Sequence, residues 1–372
     1  MSLPIVSIKE VQVYKSPIAL KEPFKISLGI LTHAENVVVK ITTDEGFTGF
    51  GECSPFLTIN GESMDTCFIV AQYIARVLKG KNALDISACI LAMEKLIYAN
   101  NSIKSAFDMA LYDIAAQHAG VPLYEFLGGT KSKELVTDYT VSIDEPEKMA
   151  ADAAKIQANG FQVIKVKLGQ RVDLDLERMK QIRAAVGMDI PIRIDANQGW
   201  DPQSAISLLN KLHPYNIQHC EEPIPRWNYM ELASIRKASP IPIMADESCC
   251  DQHDARRLAN LGACNLFNVK LGKSGGIFNA MQIVEVSEEH HINIQVGGFL
   301  ESRLAFTAAA HFALSSDKIV YCDFDTPLMF VGDPVSGGIQ YDSRGVISVP
   351  EGPGLGAGFN EAYLADLECV TV

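Results

Sequence analysis

Hydrophobic residues change their spacing twice along this 372-residue chain, and the changes divide it into three parts. In the first part the pattern alternates. Val11-Gln12-Val13-Tyr14, Val37-Val38-Val39-Lys40-Ile41-Thr42 and Phe47-Thr48-Gly49-Phe50-Gly51-Glu52 are strand-like, and Asp44-Glu45-Gly46 supplies a turn, so a small antiparallel sheet with a hairpin is predicted. Residues 15–36 show little periodicity and read as a connector or a lid. The period then becomes helical over 62–79, 84–97 and 102–119. In the third stretch Ile103, Ala106, Phe107, Ala110, Leu111, Ile114 and Ala115 recur at helical spacing, Ser102 is placed to cap, and Gly120 and Pro122 end the run. A sheet followed by helices predicts an α+β domain over residues 1–128.

After Gly128-Gly129, short apolar strands alternate with helical segments. The predicted strands end near Val141, Lys167, Asp195, Glu221, Asp246, Lys270, Gly297 and Asp323, recurring every 24 to 28 residues. That is one βα unit repeated, and it predicts an α/β fold, a (β/α)8-type (modified TIM) barrel over residues 129–326. Residues 327–372 are rich in Gly and Pro and too irregular for another unit; they are expected to fold back onto the N-terminal domain.

Composition narrows the function. With 48% hydrophobic residues the chain can bury a large core, and 32 Lys+Arg against 45 Asp+Glu give a net charge of −13. No basic stripe suited to phosphates is present, so nucleic acid is not an expected partner. Nine cysteines are scattered without a Cys-x-x-Cys pair, which fits a reducing, cytoplasmic compartment. Residues 1–10 carry Lys9 and Glu10 and lack the apolar centre of a signal peptide. The apolar run from Leu304 to Leu314 is broken by Thr307 and His311 and is too short to span a bilayer, so no membrane association is expected.

In such barrels reactive groups sit at the C-terminal ends of strands. Asp195, Glu221 and Asp246 end three consecutive predicted strands. Three converging carboxylates repel one another unless a hard divalent cation joins them, and Mg²⁺ is the expected ion. Lys165 and Lys167 end the preceding strand and share one of its faces. Two neighbouring ammonium groups are expected to depress each other's pKa, which suits one of them to accept a proton. Lys270 ends the strand after the trio, so lysines flank the metal from opposite sides. A metal-bound carboxylate has a removable α-proton. One lysine can take that proton and the other can return one to the opposite face, which inverts the α-carbon. On the last strand Asp323 and Asp325 share a face and would suit a substrate ammonium.

The segments Lys165-Val166-Lys167, Asp195-Ala196-Asn197-Gln198, Glu221-Glu222-Pro223, Ala245-Asp246-Glu247-Ser248 and Val269-Lys270 together resemble the enolase superfamily, in its muconate-lactonizing subgroup. The likeness extends to Leu111-Tyr112-Asp113-Ile114 and Phe126-Leu127-Gly128-Gly129. The resemblance implies Asp195, Glu221 and Asp246 as Mg²⁺ ligands, with Glu221 chosen over Glu222 because the family's ligand begins the Glu-Glu-Pro or Glu-Gln-Pro triplet. It implies Lys167 and Lys270 as the acid/base pair and Lys165 as the group that lowers the pKa of Lys167. It also implies that the N-terminal domain and the tail cap the barrel, with loops near 16–33 and 52–61 shaping the pocket.

Asp323-Phe324-Asp325 is similar to the signature of dipeptide epimerases, where it holds the substrate's N-terminus, and Thr140 corresponds by position to a substrate contact. The expected activity is therefore that of a Mg²⁺-dependent isomerase. It would epimerise a dipeptide at the α-carbon of its C-terminal residue, by 1,1-proton transfer through an enediolate. Members acting on Ala-Glu share Pro23-Phe24-Lys25 and Ala34-Glu35 but carry an arginine where this chain has Gly29, so Ala-Ala or Ala-Val is expected rather than Ala-Glu. Lys25 or His33 is the alternative source of charge. The rival activities are a cycloisomerase or an o-succinylbenzoate synthase-type dehydratase of the same subgroup, and lastly a non-catalytic ligand-binding barrel. A homo-oligomer is expected.

Overall fold

A computed structural model describes residues 4–372. The alternating N-terminal segments form β1 (Ile8–Ile26), β2 (Gly29–Thr43) and β3 (Thr48–Cys53), paired antiparallel in that order. Residues 15–36, expected as a loop, are instead the long arm of the β1/β2 hairpin. Their pairing runs from Lys15 opposite Val37 to Ile26 opposite Gly29, with a register shift between Ala19 and Phe24. Main-chain hydrogen bonds make this arm, and they leave no trace in side-chain periodicity.

Three helices follow: α1 (Met64–Leu78) and α3 (Asn101–Ala119) pack on the sheet, and α2 (Ile86–Leu96) packs against both of them. α3 lies so close to β3 that a Cβ at Gly49 or Gly51 would run into the backbone of Ala110 or Ala106. Gly120, in the left-handed region at φ 72°, ends α3 as its sequence predicts. Ser102 does not cap it. Asn100 holds the cap position with no side-chain bond to the helix, while Ser102 is buried and its backbone N–H donates to Glu62.

After the one-turn α4 (Leu123–Phe126) and the short β4 (Leu135–Val136) come eight parallel strands in sequential order. They are β5 (Tyr139–Val141), β6 (Ile164–Lys167), β7 (Ile192–Asp195), β8 (Ile217–Glu221), β9 (Ile243–Ala245), β10 (Leu266–Lys270), β11 (Asn293–Gly297) and β12 (Ile319–Cys322). A bridge between Thr137 and Cys322 brings the two ends of the curled sheet together. Helices follow the first seven strands, beginning with α5 (Pro146–Ala158); β12 is followed only by the 3₁₀ turn Thr326–Met329. The tail adds β13 (Val335–Gly337), β14 (Gln340–Tyr341), β15 (Val346–Ser348), β16 (Ala357–Phe359) and β17 (Cys369–Thr371). β15 pairs with β4, and β17 joins the edge of β1.

Buried acids of the N-terminal region hold it on the barrel. Glu52 accepts hydrogen bonds from Ser302 N, Ser302 Oγ and Ala305 N at the start of helix Arg303–Ala313. Asp108 accepts from Ile277 N and Phe278 N at the start of helix Ile277–His290. Each carboxylate meets the positive end of a helix and satisfies N–H groups that have no partner within it.

A second tie, at His311, makes stability depend on pH. The Tyr124 N–H donates to His311 Nδ1 at 3.1 Å, so Nε2 carries the ring proton and donates to the Leu355 carbonyl at 3.1 Å. Burial pulls this histidine down to about 4. Its reference value in the unfolded chain is about 6.5, so the unfolded state binds the proton first, and this contribution is lost as pH falls from about 6.5 toward 4. His311→Gln should therefore cost most near pH 7.5. Its penalty relative to wild type, measured by urea titration, should shrink by up to about 3 kcal/mol at pH 4. A penalty independent of pH would contradict the assignment.

Candidate active site at the barrel mouth

Alternation along β6 turns Ile164 and Val166 toward the surrounding helices and Lys165 and Lys167 into the barrel, where both are buried. Lys167 Nζ lies 2.6 Å from Asp195 Oδ2 at the end of the neighbouring β7. Lys165 Nζ lies 2.8 Å from Glu221 Oε2, 2.7 Å from Asp323 Oδ2 and 3.3 Å from Asp195 Oδ2. β10 stands four strands away from β6 in a ring of eight, so Lys270 enters the mouth from the opposite side. Its Nζ is 2.7 Å from Asp246 Oδ2.

This geometry corrects the electrostatic expectation for Lys165. Burial alone would pull the Lys165 ammonium down, but Asp323, Glu221 and Asp195 together hold it well above the ordinary lysine value. Lys270 is raised in the same way: burial opposes its charge, and Asp246 and Glu221 outweigh that. Carboxylates delivered by other strands, invisible along β6 alone, decide the balance.

Asp195, Glu221 and Asp246 are fully buried. Glu221 turns into the mouth, where burial and the nearby Asp195 push it up to about 7. Glu222, at φ 35°, turns away and braces the next loop, accepting from Asp246 N at 2.6 Å and Ser248 Oγ at 2.9 Å. The three carboxylates brought within 4.8 Å of one another, among the described residues, are a different set: Asp138, Asp323 and Asp325. Asp195 and Asp246 are each drawn instead toward two lysines, Lys165 and Lys167 for the first and Lys270 and Lys273 for the second.

The donor chemistry around Asp195, Glu221 and Asp246 nevertheless fits a hard divalent cation. All the first-rank ligand atoms are carboxylate oxygens. Around them, among the described residues, the buried acceptors Asn197 Oδ1, Glu247 Oε2 and Asn268 Oδ1 have no hydrogen-bond donor. Buried oxygens left this way are costly unless a positive centre meets them.

Asp323 and Asp325 follow β12 and face the same mouth. Burial alone would raise Asp323, but Lys165 and Lys167 hold it below the usual carboxylate range. Asp325 is pushed up to about 7 by burial and by Asp323, and its Oδ2 accepts from the Thr140 N–H at 2.6 Å. Thr140 thus supports the acid pair through its backbone.

Several residues at the mouth escaped sequence reasoning. Asp138 pairs with Arg193 at 2.8 Å inside the barrel. Asn268 donates to Glu221 Oε1 at 2.8 Å, and Lys273 Nζ reaches Asp246 Oδ1 at 2.7 Å. Asp138 and Asn268 each stand two residues before a singled-out position, Thr140 and Lys270, so the period-two rule was the available signal. Lys273 follows β10 on a helical turn and carried no such signal. Lys167, Lys270, Asp323 and Asp325 line one cavity of about 40 Å³, covered by Phe24 from the hairpin arm and Phe56 from the loop after β3. Phe299 forms a wall beneath Lys270, whose Nζ sits 4.9 Å from the ring centre.

Comparison with known proteins agrees with this architecture. Residues 8–128 match the mandelate racemase/muconate lactonizing enzyme N-terminal domain, and residues 148–363 match the enolase C-terminal domain-like family. The chain is 61% identical to the D-Ala-D/L-Ala epimerase of Cytophaga hutchinsonii over 98% of this chain and 99% of that one. A crystal structure of the dipeptide epimerase from Cytophaga hutchinsonii, complexed with Mg and D-Ala-L-Val, superposes with a TM-score of 0.98 at 61% identity, covering 99% of this chain and 100% of that one. The L-Ala-D/L-Glu epimerase of Bacillus subtilis is 40% identical over 91% of this chain and 93% of that one.

Proposed function

The chain belongs to the mandelate racemase/muconate lactonizing enzyme family of the enolase superfamily, and on that premise we propose that it is a Mg²⁺-dependent dipeptide epimerase. The observation that carries this reading is the placement of Lys167 and Lys270 on opposite walls of a cavity that also holds Asp323 and Asp325. One carbon lying between the two amines can lose a proton to one and gain a proton from the other. The acid pair meets the substrate's ammonium at the far end.

Asp195, Glu221 and Asp246 are the residues that would hold Mg²⁺. When bound, the ion supplies positive charge to offset the negative charge that develops on the substrate's terminal carboxylate. Lys167 and Lys270 then serve the two faces of the C-terminal α-carbon, the neutral amine accepting a proton and the opposite ammonium donating one. Lys165, bound to three carboxylates, remains an ammonium and fixes Asp195, Glu221 and Asp323 relative to one another. Phe56 and Phe299 exclude water, which strengthens each of these charge interactions.

The walls favour a small or apolar C-terminal side chain. Phe24, Ile26, Phe56, Ile59, Phe299 and Leu300 surround the lysines, and none of these can pair with a glutamate side chain. Lys25, the alternative source of charge, is bound to Asp144 at 2.7 Å, and His33 is exposed beside Thr32.

The test is a panel of Ala-Ala, Ala-Val and Ala-Glu incubated in D₂O with the Mg²⁺-loaded protein and read by mass spectrometry. Ala-Ala and Ala-Val should each take up one deuterium, Ala-Glu should lag by about tenfold or more, and EDTA should stop exchange. Exchange that survives EDTA would contradict the metal assignment. Exclusive use of Ala-Glu would contradict the side-chain reading.

A further inference from the structure

We propose that a second cavity, outside the barrel wall, receives the side chain of the substrate's N-terminal residue and admits large apolar groups there. The inference rests on the dipeptide reading above. The cavity measures about 370 Å³, and Phe24 and Thr140 line both it and the small chamber holding the catalytic lysines.

Its origin is the incomplete helical layer. Because only a 3₁₀ turn follows β12, the outer face of β5 lies open between that turn and α5. Alternation along β5 points Thr140 inward and Tyr139 and Val141 outward. α5 closes the opposite wall with Lys148, Asp152, Lys155 and Ile156, spaced at i, i+4, i+7 and i+8 along one helical face. Phe161, Leu328 and Met329 complete an apolar floor. Of the seven charged residues in the lining, four are paired, Lys25 with Asp144 at 2.7 Å and Lys148 with Asp152 at 2.6 Å; Lys21 donates to the Leu328 carbonyl at 2.8 Å, and Glu22 and Lys155 stand at the rim. A neutral, apolar occupant suits such a lining.

The position follows from covalent geometry. An ammonium held by Asp323 and Asp325 sits beside Thr140, because the Thr140 N–H is bonded to Asp325. The N-terminal α-carbon bears both that ammonium and the side chain, so the side chain starts at the partition formed by Phe24 and Thr140. A chamber of about 40 Å³ has room for a few water molecules, so a dipeptide must displace the half-buried Phe24. That displacement joins the two spaces.

Solvent-deuterium exchange of Ala-Ala, Leu-Ala and Phe-Ala, with Mg²⁺ present, tests the inference. Wild-type kcat/KM for Leu-Ala should fall within about tenfold of that for Ala-Ala. Lys148→Trp and Lys155→Trp fill the cavity from an exposed helix face, remote from the lysines and acids of the mouth. At least one of them should raise KM for Leu-Ala and Phe-Ala by about tenfold or more while Ala-Ala is unchanged. Wild-type exchange of Ala-Ala with rejection of Leu-Ala overturns the inference and leaves the dipeptide reading standing, as does unchanged use of Leu-Ala by both variants. Absence of exchange with every dipeptide counts against the dipeptide reading itself, and the inference falls with it.

Discussion

Lys167→Ala and Lys270→Ala are each expected to lower epimerisation of Ala-Ala by about 1,000-fold, the middle of the range for loss of a positioned acid or base. Neither change should unfold the protein. Without Lys167, Asp195 keeps Lys165 at 3.3 Å; without Lys270, Asp246 keeps Lys273 at 2.7 Å. Each carboxylate therefore retains a buried cation, so neither substitution leaves one isolated. The two variants should differ in how they fail. A variant with one amine left can still exchange the α-proton of the epimer whose hydrogen faces that amine. Lys167→Ala should thus exchange one epimer of the C-terminal residue with solvent, and Lys270→Ala the other. Proton NMR in D₂O on each pure epimer separates the cases, and identical profiles in both variants would refute the two-face assignment.

Asp246→Asn should damage both stability and metal binding. Asp246 receives Lys270 on Oδ2 and Lys273 on Oδ1, and Lys273 also reaches the Asp246 and Asn268 carbonyls. Burial opposes the Asp246 charge, yet Lys270 and Lys273 hold its carboxyl far below the usual range. An amide cannot compensate two buried ammonium groups, and breaking a buried pair costs about 3–5 kcal/mol. Chemical denaturation should register a loss of that size, and calorimetric titration should show Mg²⁺ affinity falling below detection. Glu222→Gln is the control, since Glu222 acts on the loop backbone through an oxygen that an amide also provides. It should retain Mg²⁺ binding. Loss of Mg²⁺ binding in Glu222→Gln with retention in Glu221→Gln would exchange the roles of the two glutamates.

What the sequence revealed follows from which interactions repeat along a chain. Strand ends recur every 24 to 28 residues, so the positions of Lys167, Asp195, Glu221 and Lys270 at their ends could be read without a structure. Asp246 and Asp323 fall one residue beyond β9 and β12, where a strand gives way to its loop. The β1/β2 arm was hidden because backbone pairing holds it, and Pro17, Pro23 and several charged residues interrupt its alternation. The cap of α3 was misplaced because Ser102 satisfies a tertiary contact with Glu62. The charge state of Lys165 was unreadable for a related reason. Its neighbours in sequence are apolar or cationic, whereas its neighbours in space are Asp195, Glu221 and Asp323.

The most direct measurement follows a single pure epimer of Ala-Ala in D₂O with Mg²⁺-loaded protein, read by NMR during the first turnovers. Proton removal by one lysine and delivery by another predicts that each molecule of inverted product carries one solvent deuterium at the C-terminal α-carbon, while the N-terminal α-carbon keeps its protium. Inverted product that retains its original hydrogen, or deuterium at the N-terminal α-carbon, would contradict proton transfer between Lys167 and Lys270 across the barrel mouth.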